Sequence, residues 1–210
     1  MKENSEFGIH NSEFGLWGVY GLPWGCQLPA GCCVKGMKMM KMETERLWLR
    51  EMTRDDYADL HAILTDAETM KYYPKPYDDA GVQRWIDWTL DNYRKHGFGL
   101  WAVIRKDTGE FIGDCGITLQ PINGQWLPEI GYHLNKAHWR QGFASEAAAA
   151  CIRAAFEEFG FPAVYSYMNA ENEASWRTAM KNGMDLVDEY DDKDMRLRVY
   201  RLEREKWENR

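Results

Sequence analysis

The stretch from Asn135 to Gly160 reads "NKAHWRQGFASEAAAACIRAAFEEFG" and joins a strand-like segment to an alanine-rich helix. The preceding "LPEIGYHL" (127–134) alternates apolar residues as a half-buried strand does. Small residues after Gly142 allow a helix to pack closely on a sheet. A helix start also leaves about four N–H groups without partners, with about half a positive charge. Since Gly142 has no side chain and Ala144 only a methyl, the spacing fits a structural turn and an anion cradle equally well.

The length and composition of the chain favour one ordinary soluble domain. It has 210 residues, a net charge of −7 and 45% hydrophobic residues. A chain of this size can bury roughly 70% of its unfolded surface, so it needs no metal or disulfide staple. No stretch approaches the ~20 apolar residues of a membrane span. The acidic balance argues against nucleic-acid binding and fits a cationic partner, such as an amine, better.

Residues 1–41 differ in composition from the rest of the chain. They hold seven of the 18 glycines, repeat "NSEFG" and end in "MKMMKM", with no helical or strand period. We expect a leader or vector-derived extension that is disordered or loosely docked. The function is therefore expected to lie in residues 42–210.

The five cysteines divide between two settings. Cys26, Cys32 and Cys33 offer a metal site as an alternative interpretation of the extension, but a second pair or a histidine at zinc spacing is missing. Cys115 and Cys151 lie in apolar contexts and are expected to be buried thiols. This cysteine usage predicts a reducing, cytoplasmic location and no bound metal.

The periodicities along 42–210 predict strands and helices around one core. Thr53 is expected to cap the first helix, Asp78 and Gly97 to bound the second, and residues 107–109 to form a hairpin turn. The element order β-α-α-β-β-β-α-β-α-β-β indicates an α/β (α+β layered) domain. We expect a mixed, mostly antiparallel sheet of about seven strands flanked by about four helices.

Two segments, "EIGYHLNKAHWRQGFASEA" (129–147) and "NAENEASWRTAMKNGM" (169–184), follow one another along the chain. Together they resemble the GNAT superfamily of acetyl-CoA-dependent N-acetyltransferases, and most closely the branch that acetylates the N-terminal alanine of ribosomal proteins. The superfamily loop Gln/Arg-x-x-Gly-x-Gly/Ala falls on residues 139–144, where Trp139 departs from Gln/Arg. The loop is neither a Walker loop nor a dinucleotide fingerprint. The resemblance covers 42–210 and implies the acyl-CoA N-acyltransferase fold.

The resemblance implies acetyl-CoA as cosubstrate, held by the loop and the strand before it. Backbone N–H groups of the loop would bind the pyrophosphate, the strand would run beside the pantetheine arm, and Asn172 would contact that arm. The expected coenzyme-binding residues are therefore Ile130, Tyr132, Leu134, Trp139, Arg140, Gln141, Gly142, Phe143, Ala144, Ser145 and Asn172.

Acetyl transfer to an amine needs a base for the ammonium and a proton donor for the departing thiolate. The resemblance implies Glu129 as the base, acting directly or through a water, and strand alternation places His133 on the same face. It also implies Ser175 as the donor, because Ala179 stands where many superfamily members have a tyrosine. Structural roles stay open beside these, with Glu129 as a solvated edge charge and Asn172 and Ser175 as helix caps.

The acceptor side is expected to be aromatic, from the residues Tyr72, Tyr73, Tyr77, Trp85, Trp88 and Trp126. The helical spacing of Trp85 and Trp88 is also typical of a core, so the loop "YYPKPY" (72–77) is the better pocket candidate. His133 is expected to line the pocket or support the structure, and His138 to lie near the phosphates.

The chain is therefore expected to acetylate a primary amine, with a protein N-terminal α-amine as the leading acceptor. The same scaffold could instead serve a small amine, such as an antibiotic or a polyamine, since a fold does not name its substrate. A non-catalytic acyl-CoA-binding module is the alternative from a different class. We expect no nucleic-acid or membrane partner, and a monomer or homodimer.

Overall fold

The computed structural model describes residues 42–192 and 194–210. The extension predicted for 1–41, with its three cysteines, lies outside the described residues. The described strands are β1 (Met42–Glu43), β2 (Leu47–Glu51), β3 (Leu100–Arg105), β4 (Phe111–Ile122), β5 (Gln125–Leu134), β6 (Ala163–Asn169), β7 (Asp185–Asp192) and β8 (Met195–Glu203). The described α-helices are α1 (Tyr57–Leu64), α2 (Asp79–His96), α3 (Phe143–Glu157), α4 (Glu173–Lys181) and α5 (Arg204–Glu208).

All the described strands join one sheet in the order β1-β2-β3-β4-β5-β6-β8-β7. Neighbouring strands are antiparallel except β5 and β6, which are parallel and share a single register pair, Glu129 with Tyr165. β5 and β6 therefore part from one another after this pair. The predicted mixed, mostly antiparallel sheet is confirmed.

The helices cover the two faces of this sheet with separate apolar clusters. On one face, α1 and α2 bury Ile63 and Ile86 against residues such as Ala102 of β3. On the other face, α3 buries its alanine side and Cys151 against strand residues such as Ile117. Small side chains bring α3 close to the sheet, as its sequence predicts.

Local signals set the ends of α2 as predicted. The Asp78 side chain accepts a hydrogen bond from Gly81 N at 2.7 Å, which is an N-cap, and Gly97 ends the helix with φ of 76°. Only glycine reaches that left-handed conformation without strain.

Over residues 42–192 and 194–210 there are one more strand and one more helix than the sequence predicts, because β1 and α5 are too short to show a period. The last strand, β8, ends at Glu203. There Arg204 N donates to Pro162 O at 2.9 Å, and the chain turns into α5. Trp207 of this helix then packs on Phe156 of α3, with ring centroids 5.3 Å apart.

The turn between β4 and β5 is Asn123-Gly124, with φ of 49° and 75°. Two consecutive positive φ values are those of a two-residue type I′ hairpin turn. The turn locks ten residue pairs of β4 and β5 in register, including Thr118 with Glu129 and Asp114 with His133. It therefore fixes which side chains of β4 stand beside the candidate base.

Across the described ranges, none of the helices combines the length and apolar character that crossing a bilayer requires.

Candidate active site

The glycine loop opens directly onto the start of α3. Gly142 has φ of 84°, and the first intrahelical bond runs from Glu146 N to Gly142 O at 3.1 Å. The N–H groups of residues 143–145 thus belong to the helix start, which has no intrahelical acceptors for them. A Cβ at Gly142 would lie 3.4 Å from Arg46 Nη2 and 4.0 Å from Lys181 Nζ. Two cations therefore border the space that the missing side chain leaves.

Arg46 ties the start of β2 to the loop. Its Nη1 donates to Gln141 O at 3.0 Å, its Nη2 lies 2.7 Å from Glu146 Oε2, and its guanidinium stacks 4.4 Å over the Phe143 ring. Thr44 Oγ1 also donates to Glu146, at 2.6 Å. Burial alone would raise the pKa of Glu146, but these hydrogen bonds and the charge of Arg46 lower it. Helix start, bare glycine and neighbouring cations together suit a phosphate group.

The other residues predicted to bind coenzyme surround this loop. Trp139 Nε1 donates to Leu134 O at 2.8 Å, which holds the loop against the end of β5. Leu134, Ile130 and Phe143 are buried in the core under α3, so their side chains face away from solvent. Arg140 is exposed in a positive-φ conformation.

His138, expected near the phosphates, is buried beside the glycine loop. Its Nε2 lies 3.0 Å from Glu110 Oε1, and its ring contacts Phe143 with centroids 6.3 Å apart. His138 therefore packs against the loop from its buried side.

Glu129 stands where β5 and β6 part. It is half-buried, and Thr118 Oγ1 donates to its Oε2 at 3.0 Å. Burial raises the pKa of Glu129 to about 7, although the Thr118 hydrogen bond and the nearby His133 both act to lower it. A Cβ at Gly131 would lie 3.2 Å from Glu129 Oε2, so this glycine leaves room for the carboxylate. The group can therefore exchange a proton near neutral pH.

The opposite face of β5 carries Tyr132, which contacts α4. Its hydroxyl donates to Ser175 O at 3.0 Å and lies 3.1 Å from Ser175 Oγ. Asn172 Oδ1 accepts a hydrogen bond from Ser175 N at 3.2 Å, so Asn172 is the N-cap of α4. Ala179, at the place of the usual superfamily tyrosine, is buried. Glu129 and Ser175 thus lie on opposite faces of β5, near the point where β6 stops pairing with it.

His133 belongs to a buried network on the Glu129 face. Its Nδ1 lies 2.9 Å and its backbone N 3.0 Å from Asp114 Oδ1, while Trp85 Nε1 donates to Asp114 Oδ2 at 3.0 Å. Its Nε2 lies 2.7 Å from the Tyr73 hydroxyl. The side chain of Asp114 is 0% exposed and that of His133 9%. Burial tends to lower the pKa of His133, but the Asp114 carboxylate outweighs it and leaves that pKa raised.

The other predicted acceptor residues divide by position. Tyr77 and Trp88 both contact Trp85, with ring centroids 5.5 and 5.3 Å from it. Tyr72 lies beside Lys71, whose Nζ is 5.0 Å from its ring. Trp126 is on the β4–β5 hairpin and 54% exposed.

Sequence reasoning missed four polar residues of the site: Arg46, Lys181, Asp114 and Thr118. Arg46 and Lys181 carry no local signal, because charged residues at a strand start or a helix end are ordinary. Asp114 and Thr118 lie three and seven residues, respectively, after Phe111, where the apolar strand β4 starts. A recognised Asn123-Gly124 hairpin would have placed both of them opposite His133 and Glu129.

Comparison with known proteins finds related sequences. A curated relative described as uncharacterized protein YkkB of Bacillus subtilis (strain 168) is 39% identical over 145 residues, covering 69% of this chain and 84% of the relative. Another, described as uncharacterized N-acetyltransferase YoaA of the same organism, is 31% identical over 144 residues, covering 68% and 81%.

Solved structures share the fold. An acetyltransferase from Agrobacterium tumefaciens str. C58 superposes with a TM-score of 0.70 at 26% identity, covering 89% of this chain and all of that one. RimL, described as a ribosomal L7/L12 α-N-protein acetyltransferase in complex with coenzyme A, superposes with a TM-score of 0.67 at 15% identity, covering 80% and 99%.

The mixed sheet of the described residues, with the glycine loop at the start of α3, thus has a fold that solved acetyltransferases share. The family model described as the acetyltransferase (GNAT) domain matches residues 46–185, and this chain belongs to that family. It is an acetyltransferase, and the family takes its acetyl group from acetyl-CoA and passes it to an amine.

Proposed function

We propose that this protein acetylates the N-terminal α-amine of a protein, with Glu129 as the base and Ser175 as the proton donor to the thiolate. The observation that carries the proposal is the position of Glu129. Its carboxylate has a pKa of about 7 and lies at the single register pair that β5 and β6 share.

The acid–base match favours an α-amine over a lysine. An α-ammonium has a pKa of about 8 and a lysine ammonium about 10.4. Proton transfer to a carboxylate of pKa about 7 is then uphill by roughly 1.4 kcal/mol from the α-ammonium and roughly 4.6 kcal/mol from lysine. Glu129 can therefore deprotonate an α-ammonium at a lower free-energy cost than a lysine ammonium.

The coenzyme end of the site is assigned to the glycine loop. The thioester of acetyl-CoA supplies the activated acetyl group. Backbone N–H groups of residues 143–145 would bind its pyrophosphate, and Arg46 and Lys181 would add positive charge at the same place. The exposed backbone of β5 beyond Glu129 would hold the pantetheine arm, and Asn172 would contact that arm from the α4 side.

The two protons that leave the nitrogen take different routes. Glu129 accepts the first from the ammonium, directly or through a water, and releases it to solvent. The second leaves the nitrogen as the carbon–sulfur bond breaks. The Ser175 hydroxyl gives its proton to the sulfur, so that coenzyme A departs as the thiol, and the proton from the nitrogen returns to the Ser175 oxygen. Tyr132 would position this residue, because its hydroxyl donates to Ser175 O at 3.0 Å and lies 3.1 Å from Ser175 Oγ.

The comparison with RimL supports the same acceptor class. RimL is described as an α-N-protein acetyltransferase, and it shares the fold at a TM-score of 0.67. The identity of 15% makes this a likeness of fold, so the acceptor assignment needs its own experiment.

The experiment is thiol release from acetyl-CoA with matched acceptors. One peptide carries a free N-terminal Ala or Ser, a second has the same sequence with a blocked N-terminus and an internal lysine, and the third acceptor is spermidine. We expect turnover with the free N-terminus and at least about 10-fold less with the blocked peptide, given the mismatch above. Turnover with spermidine alone would move the assignment to a small amine. Tight coenzyme binding without turnover on any acceptor would indicate a non-catalytic module.

A further inference from the structure

Asp114, His133 and Tyr73 form one hydrogen-bonded chain that the chemistry above does not use. It begins at a fully buried carboxylate on β4, crosses the imidazole on β5 and ends at a hydroxyl in the loop after α1. Buried polar groups of this kind destabilise a core unless all of them are partnered, and such networks then hold one geometry. Here both carboxylate oxygens and both ring nitrogens have partners.

The hydrogen-bond directions along the chain follow from Asp114. A carboxylate that accepts from Trp85 Nε1 and His133 N accepts from His133 Nδ1 as well, so Nδ1 carries the hydrogen. In the neutral imidazole, Nε2 is then an acceptor, and the Tyr73 hydroxyl donates to it. The Tyr73 oxygen, whose hydrogen is directed to Nε2, can still accept a hydrogen bond from a ligand.

The hydroxyl lies on the side of the sheet where Glu129 stands. Asp114 and Thr118 of β4 are paired with His133 and Glu129 of β5, so these four side chains share one face. Tyr73 is half-buried, and its pKa is raised by burial, by Tyr77 and by the charge of Glu129. An amine brought to Glu129 therefore approaches the Tyr73 oxygen as well.

We propose that the Tyr73 hydroxyl, oriented by His133 and Asp114, accepts a hydrogen bond from the amino group of the acceptor and so selects a primary amine. Tyr73 is the residue that touches the substrate, and His133 and Asp114 are positioning residues. The inference rests on the proposed function, since it places the amine at Glu129.

Protonation of His133 would reverse the direction of its hydrogen bond with Tyr73. Nε2 would then donate to the Tyr73 oxygen, and the hydroxyl would no longer be a free acceptor. The titratable groups that face the imidazole are Asp114 from β4, Tyr73 from the loop after α1 and Glu129 from β5. The test therefore uses a pH at which nitrogen NMR of the same sample shows a neutral imidazole.

The first measurement is the tautomer itself, by ¹⁵N NMR of histidine-labelled protein, with a His133→Gln sample to assign the signal. We expect hydrogen on Nδ1, and a shift of the Nε2 resonance when coenzyme A and the acceptor peptide are added, since this pair cannot react. A hydrogen on Nε2 of the neutral ring would overturn the inference, and so would an Nε2 resonance that does not shift when the peptide is added.

The second measurement is kinetic and uses Tyr73→Phe, which removes one oxygen and keeps the ring. Loss of one hydrogen bond to an amino group should raise the KM for the amine about 10-fold, with the KM for acetyl-CoA unchanged. Adding His133→Leu to Tyr73→Phe should cost no further affinity for the amine, because His133 acts through Tyr73. An unchanged KM for the amine, or equal rises in both KM values, would overturn the inference.

A matched control exists on the surface. Tyr57, His61 and Asp79 form a similar group, with His61 Nε2 2.8 Å from Asp79 Oδ1 and the Tyr57 hydroxyl bonded to Asp79 O. Tyr57→Phe should leave both KM values unchanged. Glu129→Gln separates the two proposals: wild-type rates in that variant would remove the proposed base, whatever Tyr73→Phe does to the KM.

Discussion

Replacing Glu129 by glutamine should make the free protein more stable at alkaline pH while it slows catalysis. The wild-type carboxylate has a pKa of about 7 in the fold, against an ordinary value of 4.5. The cause is burial, so ionising this group costs the folded state more than the unfolded state. Glutamine has nearly the same shape, keeps an oxygen for the Thr118 hydroxyl and never ionises.

The sign and size follow from proton linkage. As pH rises, the unfolded chain releases the Glu129 proton first, near pH 4.5, and the folded chain holds it until about pH 7. The wild type therefore loses stability through this window, up to about 3 kcal/mol above it, since each pKa unit is worth about 1.4 kcal/mol. Glu129→Gln does not undergo that loss. Its free energy of unfolding should therefore exceed that of the wild type by less than about 1 kcal/mol at pH 5 and by about 3 kcal/mol at pH 8.5.

The assay is urea unfolding of both proteins without coenzyme, followed by tryptophan fluorescence at half-unit steps from pH 5 to pH 9. The same difference should appear as a rise in Tm of roughly 6–12 °C at pH 8.5, from about 2–4 °C per kcal/mol for a domain of this size. Glu157→Gln, on the exposed side of α3, is the matched control and should stay parallel to the wild type at every pH.

A stability difference between Glu129→Gln and wild type that does not change with pH would refute the reasoning. It would mean that the carboxylate keeps its ordinary pKa in the fold, and the acid–base argument for an α-amine would then lose its basis. A difference of the opposite sign would point to a stabilising ion pair with His133 in place of a desolvated acid.

Two further predictions concern the coenzyme side. Gly142→Ala should destabilise the fold by about 1 kcal/mol, because φ is 84° there, and should raise the KM for acetyl-CoA. The control is Gly109→Ala in the β3–β4 turn, which introduces similar strain at φ of 73° and should leave the KM for acetyl-CoA unchanged. Asn172→Ala should cost about 1 kcal/mol in urea unfolding through loss of the α4 cap, whereas Asn172→Asp should restore the stability but not the affinity for acetyl-CoA; full recovery of both would reduce Asn172 to a cap.

The elements that follow local rules could be predicted from the sequence. Asp78 and Gly97 mark the ends of α2 because capping needs a side-chain acceptor at one end and a left-handed residue at the other. The glycine loop was predictable for the same reason, since a glycine before an alanine-rich helix is a local pattern. The alternation along β5 also placed Glu129 and His133 on one face, as the structure has them.

The polar partners of the site depend on contacts that are distant along the chain. Arg46 reaches Glu146 across 100 residues, and Tyr73 reaches His133 across 60. No local periodicity predicts such contacts, so the sequence alone indicates only a solvent-exposed charge for Arg46 at the start of a strand. The Asn123-Gly124 turn is a different case, because its dipeptide is a standard hairpin signal and fixes the register that brings Thr118 to Glu129.

The pKa of Glu129 shows why a residue can be predicted while its chemistry cannot. The family pattern points to a carboxylate at this position, but a carboxylate on an open strand would titrate near 4.5. What moves it is the burial of the group. Substitutions that admit water to the carboxylate should therefore tune the base without touching it, because admitting water lowers the pKa of a buried acid.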